Sequence, residues 1–253
     1  ISSAASDVYK RQTLLKKWSD ASTSRLGRLA DEEQQIQNAK DIVEFQHYFA
    51  DLIDRMREHP EDNIISDLAN NTIDEGRLLT KPEALGMIQQ ILVAGNETST
   101  NAIAGGVVLL IENAEEQAKL RANPDLIPTA VEEILRLETP TSGMWRRATQ
   151  DTEIDGVAIP EGSFLMVRFA AGNRDESVFP CAGAMQVDRE NADNHMAFGQ
   201  GTHFCLGAQL ARTELQIAMT TLLRRTDNWA LVEGKNSLKH HPNVLLRGLM
   251  DLH

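Results

Sequence analysis

The feature that most constrains this fold is one helical run that starts near Thr80 and is not stopped before Asn113. Thr80 is a good N-cap, Pro82 sets the φ of the first turn, and Glu83 stands three residues past the cap, as a capping box requires. The sequence predicts one helix over 82–113, about three times the globular mean of roughly 11–12 residues. A helix this long and apolar has to be buried along most of its length, so other elements must surround it. It also contains Ala94-Gly95 and Gly105-Gly106. Each interior glycine costs about 1 kcal/mol against alanine. Something in the fold must compensate.

Other elements follow from periodicity and punctuation. Ile42, Val43, Phe45, Phe49, Leu52, Ile53 and Met56 recur at three- and four-residue steps and predict a helix over 40–59, ended by Pro60. A short apolar turn follows at 64–68, and Asp74-Glu75-Gly76 reads as a loop. Two shorter helices are expected over 114–122 and 127–138, bounded by Pro124, Pro128 and Pro140. Beyond Pro140 a hairpin is predicted over 152–162 and a β run over 164–169. Residues 172–204 are rich in Gly, Asn, Asp and Pro, and a loop of that length is usually functional. A last helix starts just after Cys205 and runs to about Arg225, and the tail over 229–253 reads as short strands. The fold class is mainly α with a minor β component, in one domain. Residues 1–12, Ser/Ala-rich and without an initiator Met, read as a non-native leader, leaving 13–253 as the folded part.

Composition narrows the function. Acids outnumber bases 37 to 25, a net charge of −12, which argues against a general nucleic-acid or anionic-membrane binder. Two cysteines in 253 residues make no disulfide framework and fit a reducing compartment. No segment reaches the roughly 18 apolar residues of a membrane span. The N-terminus lacks a basic-then-apolar signal, so a cytoplasmic protein is expected.

The most informative stretch is Phe198-Gly199-Gln200-Gly201-Thr202-His203-Phe204-Cys205-Leu206-Gly207. Cys181 reads as an ordinary small hydrophobe. Cys205 differs, because it stands at the entry to a helix, where free N–H groups and the macrodipole favour a thiolate. Three glycines around it let the backbone approach a flat ligand and aim N–H groups at one sulfur. Such hydrogen bonds set the basicity and potential of a thiolate on iron. Structural zinc takes four Cys/His ligands, and His195 and His203 have no partner cysteine at finger spacing. A nucleophilic cysteine would need a base and an orienting acid, and His203 is only two residues away.

This stretch resembles the heme-binding signature FxxGxxxCxG of the cytochrome P450 family, and more closely its bacterial form FGxGxHxCLGxxLAR, which runs through Ala211-Arg212. Companions stand in the expected order. Ala94-Gly95-Asn96-Glu97-Thr98 resembles the family's AGxET, Glu133-Ile134-Leu135-Arg136 its ExxR, and Arg146-Arg147-Ala148-Thr149 with the following segment its RxAT…GxxIPxG hairpin. Asn173-Arg174-Asp175 resembles its ANRD stretch, with Gly172 where Ala is usual.

The resemblance implies the C-terminal part only of the cytochrome P450 fold, carrying heme b with Cys205 as the iron ligand. Ala94, Gly95, Phe198, Gly199, Gly201 and Gly207 would lie beside the cofactor, and Arg146 and His203 would face its propionates. Glu97 and Thr98 would deliver protons to iron-bound dioxygen, and Glu133, Arg136 and Arg189 would form a structural triad. Val93, Ser142, Gly143, Met144, Trp145, Leu245 and Leu246 would line the substrate pocket. The implied activity is a monooxygenase that inserts one atom of O2 into a lipophilic small molecule. Its electrons would come from a ferredoxin or flavodoxin docked near Cys205, with Arg212 among the contacts. The alternative is a heme-binding or sensing fragment without turnover.

Overall fold

The structure, a computed structural model, describes residues 3–27 and 30–253. The chain divides into two compact units, Ile1–Glu97 and Thr98–His253.

The first unit is helical. It comprises α1 (Ser3–Gly27), α2 (Glu32–Glu58), α3 (Ile64–Asn70), the two-residue strands β1 (Thr72–Ile73) and β2 (Arg77–Leu78), and the first half of α4 (Lys81–Glu112). Of the leader expected at 1–12, Ile1 and Ser2 lie outside the described residues, and α1 runs through the rest without a break. The helix expected from residue 40 starts at Glu32 instead. Asp31 caps it, its side chain accepting from the Gln34 N–H at 2.9 Å. The apolar face of α2 buries Phe45, Phe49, Ile53 and Met56 against Trp18 of α1, whose ring meets Phe45 edge-on at 5.7 Å. The expected turn at 64–68 is the helix α3, and the loop at Asp74–Gly76 is a 3-10 turn joining β1 to β2. The capping box forms: Thr80 N–H donates to Glu83 Oε2 at 2.8 Å, and Glu83 N–H donates back to Thr80 Oγ1 at 3.4 Å.

The second unit packs the remainder of α4 with α5 (Ala114–Ala122), α6 (Ile127–Glu138) and α8 (Ala208–Arg225). Leu110, Leu120, Val131, Ile134, Leu137, Leu215 and Met219 form its core. Here the glycine pair of α4 finds its compensation. A Cβ on Gly105 would overlap the Glu138 carboxylate, and one on Gly106 would come within 2.9 Å of Ile134 and 3.2 Å of Met219. The backbone of α4 thus lies directly on α6 and α8, and the dispersion contacts of that close approach offset the lost helix propensity.

The β component is small. Strand β3 (Met144–Arg147) pairs antiparallel with β6 (Phe164–Val167), and β4 (Thr152–Ile154) with β5 (Val157–Ile159). The β run expected to Phe169 stops at Val167, because Phe169 turns inward as the first residue of the short helix α7 (Phe169–Gly172). The tail holds no strand. It makes isolated bridges, Thr141 with Leu246 and His240 with Leu249, since Leu245 is tied by its carbonyl to Ser142 rather than to a neighbouring tail segment. Among the described residues no helix is long and apolar enough to cross a membrane.

Candidate functional site

The cysteine segment runs from the loop after α7 into α8. Gly199 and Gly201 sit at φ +68° and +71°, a region that only glycine enters at no steric cost, so the segment folds back on itself there. A 3-10 turn over Gly201–His203 follows. The Cys205 N–H then donates to the Phe198 carbonyl at 2.9 Å, closing the loop, and the Cys205 carbonyl accepts from Ala208 N–H at 3.3 Å as α8 begins. Gly207 is the N-cap residue, and a Cβ there would touch the Cys205 sulfur at 4.0 Å. Sγ therefore lies beside the positive end of α8. Cys205 is exposed, as are His203, Phe204 and Leu206.

Beneath the segment lies a buried ionic cluster. Arg136 grips Glu133 with both arms of its guanidinium, at 2.7 and 2.8 Å, and Arg189 Nε reaches both oxygens of the same carboxylate at 3.0 and 3.1 Å. Gln186 N–H adds a bond to Glu133 at 3.0 Å. Two cations on one carboxylate leave an excess positive charge, which backbone carbonyls absorb. Arg136 donates to Asn173, Ala182 and Ala184, and Arg189 to Pro180, Cys181 and Ala184. The structure thus brings Glu133, Arg136 and Arg189 together and pins the loop before the cysteine segment to α6.

The neighbouring carboxylate is tied differently. Glu132 accepts two bonds from Arg212, at 2.7 and 2.9 Å, and one from His195 Nε2 at 3.1 Å. Burial would raise its pKa, but the hydrogen bonds from His195 and Arg212 outweigh that and hold it at about 2. Arg212, expected at a docking surface, is engaged in this cluster and lies over the Phe198 ring at 4.8 Å.

The remaining expected residues are distributed as follows. Arg146 donates to the Trp145 carbonyl at 2.9 Å, and Arg147 points to the other face of β3, over the Phe164 ring. Ser142 lies against Leu245, its N–H and hydroxyl both donating to that carbonyl at 2.7 and 3.0 Å, and Leu246 bridges Thr141. The Ser142 hydroxyl is therefore already used. Gly143 is buried against the Val167 carbonyl, and Met144 and Trp145 are exposed on β3. Thr98 belongs to the second unit, and Val93, Ala94, Gly95 and Glu97 to the first. Ala94 and Gly95 are exposed on α4, a Cβ on Gly95 would meet nothing within 4 Å, and the Glu97 carboxylate lies 4.0 Å from Lys16 Nζ.

The Cytochrome P450 family model matches residues 31–246. The cytochrome P450 monooxygenase PikC of Streptomyces venezuelae is 37% identical over 236 residues, covering 93% of this chain and 55% of that protein. The crystal structure of P450BioI in complex with an acyl carrier protein bearing hexadec-9Z-enoic acid superimposes with a TM-score of 0.88 at 34% identity, over 96% of this chain and 61% of the other. Cytochrome P450 CREJ in complex with (4-ethylphenyl) dihydrogen phosphate gives 0.90 at 31% identity, over 96% and 60%. The chain belongs to the cytochrome P450 family and spans about half the length of the curated relatives it matches.

Family membership implies heme b, and the residues present fit it. The exposed Cys205 could give one thiolate ligand to an iron whose other ligands a prosthetic group supplies. Cys205 is exposed with exposed Phe204 beside it, and Arg146 and His203, also exposed, are of the cationic and donor type that the carboxylates of a dianionic macrocycle need. Sequence reasoning gave Glu132 no role, weighed His195 only as a zinc ligand, and quoted Asn173 only within the ANRD stretch without a role in this site. The side-chain partners of Glu132 and His195 lie tens of residues away in sequence, and no local period marks those pairings.

Proposed function

We propose that this chain is the heme-binding portion of a heme-thiolate monooxygenase acting on lipophilic small molecules. The observation that carries the reading is the exposed Cys205, its N–H locked to Phe198 and its sulfur set at the start of α8. Cys205 would ligate the iron, with Phe198, Gly199, Gly201 and Gly207 beside it. Ala94 and Gly95 would offer bare helix backbone to the cofactor, and Arg146 and His203 would neutralise its propionates. When bound, heme b supplies activation of O2 and transfer of one of its atoms to a C–H bond or an alkene.

The chain's own residues bind, orient and handle protons. Glu97 would hold a proton on α4, and the Thr98 hydroxyl would pass protons on in order while bulk water is kept out. Val93, Met144, Trp145 and Leu246 would present apolar surface to the substrate, with Leu245 buried behind them. The fatty acyl chain and the alkylphenyl group in the two solved neighbours fit a lipophilic substrate. A ferredoxin or flavodoxin in the cytoplasm would supply electrons.

The test is a reduced, carbon-monoxide difference spectrum of the purified chain mixed with heme. The red-shifted Soret band of thiolate-bound iron is expected, and Cys205→Ala should abolish it. The same band in that variant would overturn the site. Heme binding without substrate oxidation, even with electrons supplied, would instead favour the heme-binding or sensing fragment.

A further inference from the structure

We propose that His195 is a positioning residue that fixes the entry of the cysteine segment through a neutral imidazole with one defined tautomer. The inference rests on the heme-thiolate reading for its consequence, but its geometry stands without it.

His195 is buried, and both ring nitrogens are used. Nδ1 faces the Ala197 N–H at 3.1 Å, and Nε2 faces Glu132 Oε2 at 3.1 Å. A backbone N–H can only donate, so Nδ1 is an acceptor and carries no proton. A carboxylate only accepts, so Nε2 carries the proton. A protonated imidazole would set two N–H groups against each other at Ala197. The ring plane is thus fixed at both ends, and it packs on Phe198 with centroids 5.6 Å apart. Arg212, held by the same Glu132, covers Phe198 as well. One carboxylate on α6 therefore orients two of the side chains that pack on the Phe198 ring.

The consequence reaches Cys205 through the backbone. Phe198 is the residue whose carbonyl accepts the Cys205 N–H. The preceding amide is held in the same manner, since Met196 N–H donates to Asn173 Oδ1 at 2.6 Å and Asn173 Nδ2 donates to Thr139 Oγ1 at 2.8 Å. Two consecutive amides, Met196 and Ala197, are thus bound by side chains rather than by a strand or helix. A segment with no regular secondary structure acquires a fixed direction in this way. In such a segment the Phe198 carbonyl stays where Cys205 needs it.

The test uses amide hydrogen exchange on the heme-free chain, then the heme spectrum. His195→Phe keeps an aromatic ring against Phe198 and removes both polar contacts. His195→Gln keeps a donor at the Nε2 end, and His195→Asn an acceptor at the Nδ1 end. In His195→Phe the amides of Ala197 and Cys205 should exchange about tenfold faster or more, while core amides of α6 and α8 keep their protection. The two polar variants should each restore part of it. With heme added, His195→Phe should shift part of the Soret band from the thiolate to the neutral-thiol position, and the polar variants should recover it. Unchanged exchange at Cys205 would overturn the proposal. So would equal acceleration throughout α6 and α8, which would make His195 a general contact of the fold. A wild-type chain that takes up no heme would overturn the functional reading alone, with the exchange result still deciding this one.

Discussion

Glu133, Arg136 and Arg189 are at most 5% exposed, yet in the cysteine segment that follows the loop they hold Leu206 stands fully exposed and Phe204 half-exposed. The first region is polar and buried, the second apolar and bare. Folded chains normally show the reverse in both places, so each departure needs its own reason. In the brace, every charged group is matched by a carbonyl, an amide or an opposite charge, and it is complete within this chain. Around Cys205, Leu206 is bare, and Phe204 meets the Phe198 ring at 6.1 Å yet keeps half of its surface exposed, as a surface that receives something else would. The lesson is that the brace is satisfied by this chain's own groups, whereas the exposed face is not.

The largest expected effect comes from breaking the brace. Glu133→Gln removes the one carboxylate that two buried guanidiniums share, leaving their positive charges facing each other. We expect a loss of about 3–5 kcal/mol of unfolding free energy, a large part of a typical stability of about 5–15 kcal/mol. Urea unfolding of the heme-free chain checks this. A loss below about 1 kcal/mol would mean that water reaches the cluster and that the contrast between the two regions is false.

That contrast was only half legible in the sequence. Caps and prolines placed α4, α5 and α6 within a residue, because Thr80, Glu83, Pro124 and Pro128 act locally. The start of α2 escaped because residues 32–39 are polar and carry almost no apolar period, although Asp31 three residues before Gln34 was a cap signal. The tail looked like strands because its apolar residues have β propensity, but propensity without a partner strand gives isolated bridges. In the site, Glu133 and Arg136 are a turn apart on one helix and can be read from spacing. Glu132 and His195 are 63 residues apart. Only the folded chain brings a single histidine to a single glutamate.

An intermediate effect is expected from Glu132, which sits between the brace and the segment. Its carboxyl, ordinarily near 4.5, is held at about 2 in the folded chain. A depressed folded value means that the stabilisation is complete above the ordinary value and is lost as the pH falls from about 4.5 towards 2. The gap in urea midpoint between the wild-type chain and Glu132→Gln should stay constant from pH 7 to about 5. It should then narrow towards nothing near pH 2. A gap that widens in acid would show that Glu132 is not the group that pairs with His195 and Arg212.

The smallest effect belongs to the bare face. Leu206 contributes a fully exposed side chain next to the cysteine, so Leu206→Ser removes no buried area. Its unfolding free energy should stay within about 0.5 kcal/mol of the wild type, as for surface substitutions generally. A loss above about 1 kcal/mol would mean that this leucine is covered in solution, by a second copy of the chain or by a segment folded over it. Dilution separates these two, because only an intermolecular cover weakens as the protein concentration falls. If the loss stays small, the face is open in the heme-free chain. The stability of the brace then owes nothing to what later docks on that face, and the two regions can be changed independently.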